Sequence, residues 1–221
     1  ILQTNFPELN FPKRNYQFIP TIDIDNAYAY KQKGFLRTIG SVARTISKLD
    51  FSTLLLQLKV LSGRQSDPFD TYNYLLNIQK KYHIKPIYFF LLGDYGLNDK
   101  NLSHENGHFR SLIKSIADYA EVGIHPSYNS NKDKQKINLE IRRLEDIVKR
   151  EVFRSRQHFL KLSLPETYRN LIEEDILEDY TMGFAAEPGF RAGTCTPYPF
   201  YDLDGELECN LKVYPFQVME S

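Results

Sequence analysis

The sequence predicts an α/β fold organised around a parallel sheet or barrel, and three observations predict it. Extended apolar runs alternate with segments of helical apolar spacing along most of the chain. Lys85 to Leu92 contains an unbroken apolar run, Ile87–Tyr88–Phe89–Phe90–Leu91–Leu92, of the kind found in strands covered on both faces. Each predicted core strand also ends in polar residues able to do chemistry, and the C-terminal rim of a parallel sheet is where ligands bind.

Gln17 to Asp25 reads as the first strand, closing in the β-branched run Thr21–Ile22–Asp23–Ile24–Asp25. The run breaks at Asn26–Ala27–Tyr28, so its two acids sit at the strand end. Leu36 to Leu49 and Phe51 to Leu61 have helical apolar spacing, and the polar loop Gly63 to Pro68 follows them. Phe69 to Tyr82 is a further helix, Lys85 to Leu92 the second strand, and Gly93–Asp94–Tyr95–Gly96 a loop. A helix around Phe109 to Tyr119 leads into the third strand, Glu121 to His125. Asn131 to Lys149 is a charged amphipathic helix whose apolar stripe is Ile137, Ile141, Leu144 and Val148. Val152 to Phe159 is strand-like, Pro165 opens a helix at its first turn, and Tyr180 to Phe184 is the next strand. Asp202–Leu203–Asp204–Gly205 is a turn signal between two extended segments, which predicts a β-hairpin near the C-terminus. No internal repeat or low-complexity linker interrupts this order.

At 221 residues the chain can bury one substantial core, and residues 1–221 read as a single domain. Its 28 basic and 28 acidic residues cancel, which removes the electrostatic case for a nucleic-acid partner. Tyr and Phe are plentiful at 15 each and Trp is absent, a composition that suits aromatic packing and polar, sugar-like ligands alike. Cys195 and Cys209 fit no metal knuckle and no CxxC spacing. No apolar run approaches a membrane span and no signal peptide is visible. The chain opens on Ile1 rather than Met, so it is expected to be a piece of a longer protein, with its location open between cytoplasm and envelope.

The strand ends collect the chemistry. The first delivers Asp23 and Asp25, the second Asp94, the third His125, and the Val152 strand Arg156 and His158. Two acids at the end of a buried strand need a cation, hydrogen bonds or a metal to offset their desolvation. One carboxylate and two imidazoles, here Asp25, His125 and His158, form a ligand set for zinc or a similar divalent ion that leaves positions for water and substrate. A second carboxylate alongside, Asp23, suits a general base, and Arg156 or Arg191 suits orienting it or balancing its charge. Asp94 and Tyr128, at the same rim, are candidate substrate contacts. His83 belongs at a helix end, where a cation is mildly favoured, and His104 and His108 are assigned to a polar loop because Gly107 between them argues against a helix.

As a set, TIDIDNAYAY, DPFDTY, FFLLGDYG, GIHPSY, SRQHFLKL, DYTMGF and GFRAGT resemble the polysaccharide deacetylases of the NodB-homology group, the fourth carbohydrate esterase family, in a bacterial branch. The resemblance runs over most of the chain. It implies a distorted (β/α) barrel and a metal-dependent hydrolase that removes acetyl groups from a carbohydrate. It implies Asp23 as base, Asp25 and His125 as metal ligands, and Arg156 as the strand-end arginine. Two positions depart from the family pattern. The second histidine of its His-x-x-x-His motif is Asn129 here, so His158 is expected to complete the ligand set. Its late histidine, which assists the leaving group, has no counterpart after Arg191. The barrel is therefore expected to be incomplete at its C-terminal side. A gap should border the 21–25 strand, and a final hairpin from about Leu207 to Met219 should cover one flank. Two further functions fit the same residues: a degenerate barrel that binds glycan without turnover, and a hydrolase of a non-sugar amide.

Overall fold

The computed structural model describes residues 2–8 and 16–220. Seven strands form one sheet: β1 (Thr21–Ile24), β2 (Ile87–Phe90), β3 (Glu121–Ile124), β4 (Arg154–Ser155), β5 (Glu178–Asp179), β6 (Tyr198–Asp202) and β7 (Leu207–Val213). Their order is β1-β2-β3-β4-β5-β7-β6, parallel throughout except for the β6–β7 hairpin. The sheet is not closed, and β1 is its edge, as the expected gap beside the 21–25 strand requires. The helices are α1 (Leu2–Asn5), α2 (Phe35–Ser47), α3 (Phe51–Leu61), α4 (Tyr72–Tyr82), α5 (Gly107–Ala117), α6 (Lys134–Val148) and α7 (Glu166–Glu173).

Every residue of β2 is buried, which is why its run reads as uninterrupted apolar sequence. Ile137, Ile141, Leu144 and Ile147 carry α6 onto the core, with Val148 only half-buried at its end. Asp133 starts that helix by accepting from Lys136 N, and Lys149 ends it in the left-handed conformation.

Several expected boundaries move. The first strand is shorter than 17–25, because residues 16–19 lie exposed before Pro20. The strand expected over 152–159 pairs only at Arg154–Ser155. Beyond it, His158 N donates to the Pro126 carbonyl, and Phe159 and Leu160 take left-handed φ angles of 59° and 49° that turn the chain. The strand expected at Tyr180–Phe184 pairs instead at Glu178–Asp179. There the buried Asp179 carboxylate captures Ser155 Oγ, Thr181 Oγ1 and Thr181 N, and this local bonding draws the following residues out of the ladder. His108 is helical and not in a loop, because Asn106 caps α5 through Phe109 N and Gly107 is its first residue. His83 ends α4 with a left-handed backbone. The C-terminal hairpin is Tyr198–Val213, so the range 207–219 is corrected. Leu211 and Val213 alternate inward and make β7 a core strand beside β5. Arg169 clamps the hairpin turn by two 2.6 Å bonds to Asp202.

Candidate active site

Register explains how distant segments meet. Ile24 pairs with Phe90, Phe90 with Ile124, Ile124 with Ser155, and Ser155 with Asp179. The residues one step beyond, Asp25, His125, Arg156 and Tyr180, therefore form a single row along the C-terminal rim. Asp23 lies two residues before Asp25 and shares its face of the sheet. Gly123, two rows down and in register with Phe89 and Asp23, leaves room for the Phe89 ring: a Cβ there would come within 2.6 Å of it. Arg156 lies above that ring, its guanidinium carbon 5.3 Å from the Phe89 centroid and 4.9 Å from that of Phe216.

The site's two histidines are tied from outside. His125 Nδ1 donates to the Arg156 carbonyl at 2.6 Å, and His158 Nε2 donates to the Asn98 carbonyl at 3.3 Å. A carbonyl only accepts, so these outer nitrogens carry the protons. The inner nitrogens, His125 Nε2 and His158 Nδ1, face each other at 3.1 Å, and Asp25 Oδ1 lies 3.1 Å and 3.5 Å from them. Ligand atoms of all three side chains fall within 4.8 Å of one another, the one such group among the described residues. The arrangement fits a divalent cation. Two imidazole lone pairs and a carboxylate converge, and each ring is oriented by a backbone carbonyl on its far side, as metal-binding histidines are.

The electrostatics favour positive charge at this point, carried by a proton on His125 or by a cation. Burial would raise the Asp25 carboxyl, but the hydrogen bond from His125 and the charges of both imidazoles outweigh it and hold the carboxyl below its usual range. His125 is fully enclosed, which disfavours its charged form, yet the carboxylates of Asp23 and Asp25 push its pKa up. His158 goes down, through burial and the neighbouring charge of His125. Asp23 is nearly buried, with one oxygen 3.2 Å from Arg156 Nη1 and the other, Oδ2, without a protein partner. Arg156 is held in turn by Nε donating to the Tyr180 carbonyl at 2.9 Å.

These groups line a cleft of about 640 Å³ walled on its far side by Phe216, Val218 and Met219. Tyr214 N donates to the Asp179 carbonyl and Phe216 N to that of Met182, so the segment after β7 runs along the rim. Gly183 makes this possible: a Cβ there would sit 2.2 Å from the Phe216 ring.

Other expected site residues lie elsewhere. Arg191 is exposed on the loop after Gly189 and does not border the cleft. Asp94 pairs with Arg143 Nη2 at 2.7 Å and borders a separate cavity of about 600 Å³. Tyr128 does not line the cleft itself; it packs against Lys161 Nζ, 3.6 Å from its ring, and edge-on against Phe159, which does. Asn129 is exposed and is not one of the converging groups.

Sequence reasoning missed three supports. Asn98 supplies the carbonyl under His158. Asp99, fully buried, accepts from Tyr128 N and lies 4.0 Å from His158 Nε2. Glu140 accepts from Ser127 N and Oγ just past His125, and burial pushes its carboxyl up to about 7. Asn98 and Asp99 sit in an ordinary polar loop and Glu140 in a charged helix, so nothing in their local pattern marks them.

The architecture matches solved structures. The chain superposes on a Mycobacterium smegmatis protein named as a polysaccharide deacetylase with a TM-score of 0.51, over 88% of this chain at 15% identity. It spans 57% of that protein's length. IcaB from Ammonifex degensii aligns over 74% of this chain and 83% of its own at 12% identity, with a TM-score of 0.40. No family model and no curated protein matches the chain. The fold is thus the distorted, open α/β barrel of the NodB-type deacetylases.

Proposed function

We propose that the chain is a metal-dependent deacetylase of the NodB-homology kind, removing acetyl groups from a bacterial polysaccharide or related carbohydrate. The observation that carries this reading is the pair of inner imidazole nitrogens 3.1 Å apart beside Asp25, with both outer nitrogens engaged by carbonyls. Asp25, His125 and His158 would hold the ion, which by its nitrogen and oxygen donor set is zinc or a close relative. A bound cation would supply positive charge that acidifies water and stabilises negative charge developing on the acyl oxygen.

The chain's own residues do the rest. Asp23 accepts the proton of the attacking water at its unpartnered oxygen, while Arg156 holds its other oxygen in place. The acyl carbon–nitrogen bond breaks, and the proton held by Asp23 is available to the departing amine, leaving acetate and a free amino sugar. Phe89 and Phe216 fix Arg156 and keep water from its flanks. Asn129 does not by itself favour a degenerate site, since His158, the residue expected to complete the ligand set, has its Nδ1 3.1 Å from His125 Nε2 and 3.5 Å from Asp25.

Elemental analysis of the purified protein, joined to an acetate-release assay on N-acetylated oligosaccharides, tests this. About one equivalent of divalent metal and metal-dependent release are expected. Metal without release would favour the glycan-binding reading, and release only from non-sugar amides would favour the third.

A further inference from the structure

The hairpin of α2 and α3 presents an apolar surface that no other part of the described residues covers. No residue of α2 is buried, although its sequence is strongly amphipathic. Phe35, Leu36, Ile39 and Ile46 fall on one stripe and are 79%, 83%, 49% and 52% exposed. The stripe continues through Leu49 into α3, where Phe51, Leu55 and Leu58 also face solvent. Single exposed apolar residues are ordinary, but a run of this length on two consecutive helices marks an interaction surface.

Its charge says what kind of partner fits. The chain as a whole is neutral, yet between residues 35 and 64 the one acid is Asp50, against Arg37, Arg44, Lys48, Lys59 and Arg64. Asp50 caps α3, accepting from Thr53 N at 3.0 Å and Ser52 Oγ at 2.7 Å, so its charge is turned toward the helix N-terminus. Arg37 and Arg44 lie seven residues apart, on the side of α2 opposite the apolar stripe. An apolar stripe of Phe, Leu and Ile backed by basic residues is the composition of a helix lying in the interface of an anionic bilayer.

We propose that the α2–α3 hairpin docks the protein on an anionic lipid surface. This is peripheral binding: among the described residues no helix is long and apolar enough to cross a membrane. The hairpin is also joined to the candidate site. Arg37 donates to the carbonyls of Lys100 and Asn101 and stacks on Tyr95, 4.1 Å from its ring, so α2 is anchored to the loop whose Asn98 carbonyl holds His158. The proposal does not depend on the deacetylase reading.

Co-sedimentation of the intact protein with vesicles of phosphatidylcholine alone, and of phosphatidylcholine with about a third phosphatidylglycerol, provides the test. Partitioning to the anionic vesicles is expected to exceed that to neutral ones by at least about tenfold, and to fall as salt rises. Phe35→Ser with Leu36→Ser, and separately Arg44→Gln with Lys48→Gln, should each lower it by about tenfold with helical content unchanged by circular dichroism. Leu203→Ser, at an equally exposed apolar residue on the far hairpin turn, should leave it unchanged. Failure of the intact protein to bind anionic vesicles overturns the proposal, as does equal binding to neutral ones or retained binding in the hairpin variants. A dimer in solution that the hairpin variants break, with no vesicle binding, would assign the surface to a second copy instead.

Discussion

His125 Nε2 and His158 Nδ1 lie 3.1 Å apart although 33 residues separate them, each ring held by a carbonyl bound to its other nitrogen. With both rings neutral, two lone pairs confront each other across a gap that Asp25 also borders, a repulsive arrangement that either a cation or a proton on His125 Nε2 relieves. The metal reading rests on that relationship more than on any one residue.

Replacing His158 by Ala should therefore cut bound divalent metal from about one equivalent to well below half, and acetate release with it. Asn129→Ala should leave metal content unchanged, because Asn129 is exposed and away from the converging groups. Elemental analysis of both variants decides whether the second imidazole comes from position 158.

Asp23→Asn should retain the metal while turnover falls by about two to four orders of magnitude, the usual worth of a general base. The variant keeps the shape of the side chain and its contact with Arg156 but has no basic oxygen at the Oδ2 position. Loss of metal in this variant would show that the two acids have exchanged roles.

Gly183→Ala should push Phe216 off Arg156, since the new methyl would sit 2.2 Å from the ring. Overpacking of this kind costs about 1–3 kcal/mol, to be read in thermal unfolding. Turnover should fall further than KM changes, with metal content intact, because what is disturbed is the clamp on the residue that positions Asp23.

Glu140 predicts a pH dependence of stability. Burial raises its folded pKa to about 7 from an unfolded value near 4.5, so the folded state binds the proton more tightly. Its contribution is full below about pH 4.5, declines as pH rises through 7, and is then flat. The span corresponds to about 3 kcal/mol at most. Denaturant unfolding between pH 4.5 and 8 should show the decline in the native protein, and Glu140→Gln should flatten it.

Sequence alone determined the parallel α/β plan, the two acids at the end of the first strand, and the histidine at the end of the third. These are local signals. A period-two or uninterrupted apolar run announces a strand, and a polar residue closing it announces the rim. The second imidazole could be named as His158, but not why it reaches the site. That depends on the chain leaving the ladder after Ser155 and turning at Phe159 and Leu160, a backbone path enforced by contacts with Pro126 and Thr181. The tertiary structure likewise decided that Arg156 and not Arg191 meets Asp23, and that Asp94 spends its charge on Arg143. It also brought Phe216 back across the rim to Gly183, 33 positions earlier. Such pairings join residues far apart in sequence, and strand register, burial and the need of each buried charge for a partner select them. None of these leaves a mark in the spacing of nearby residues.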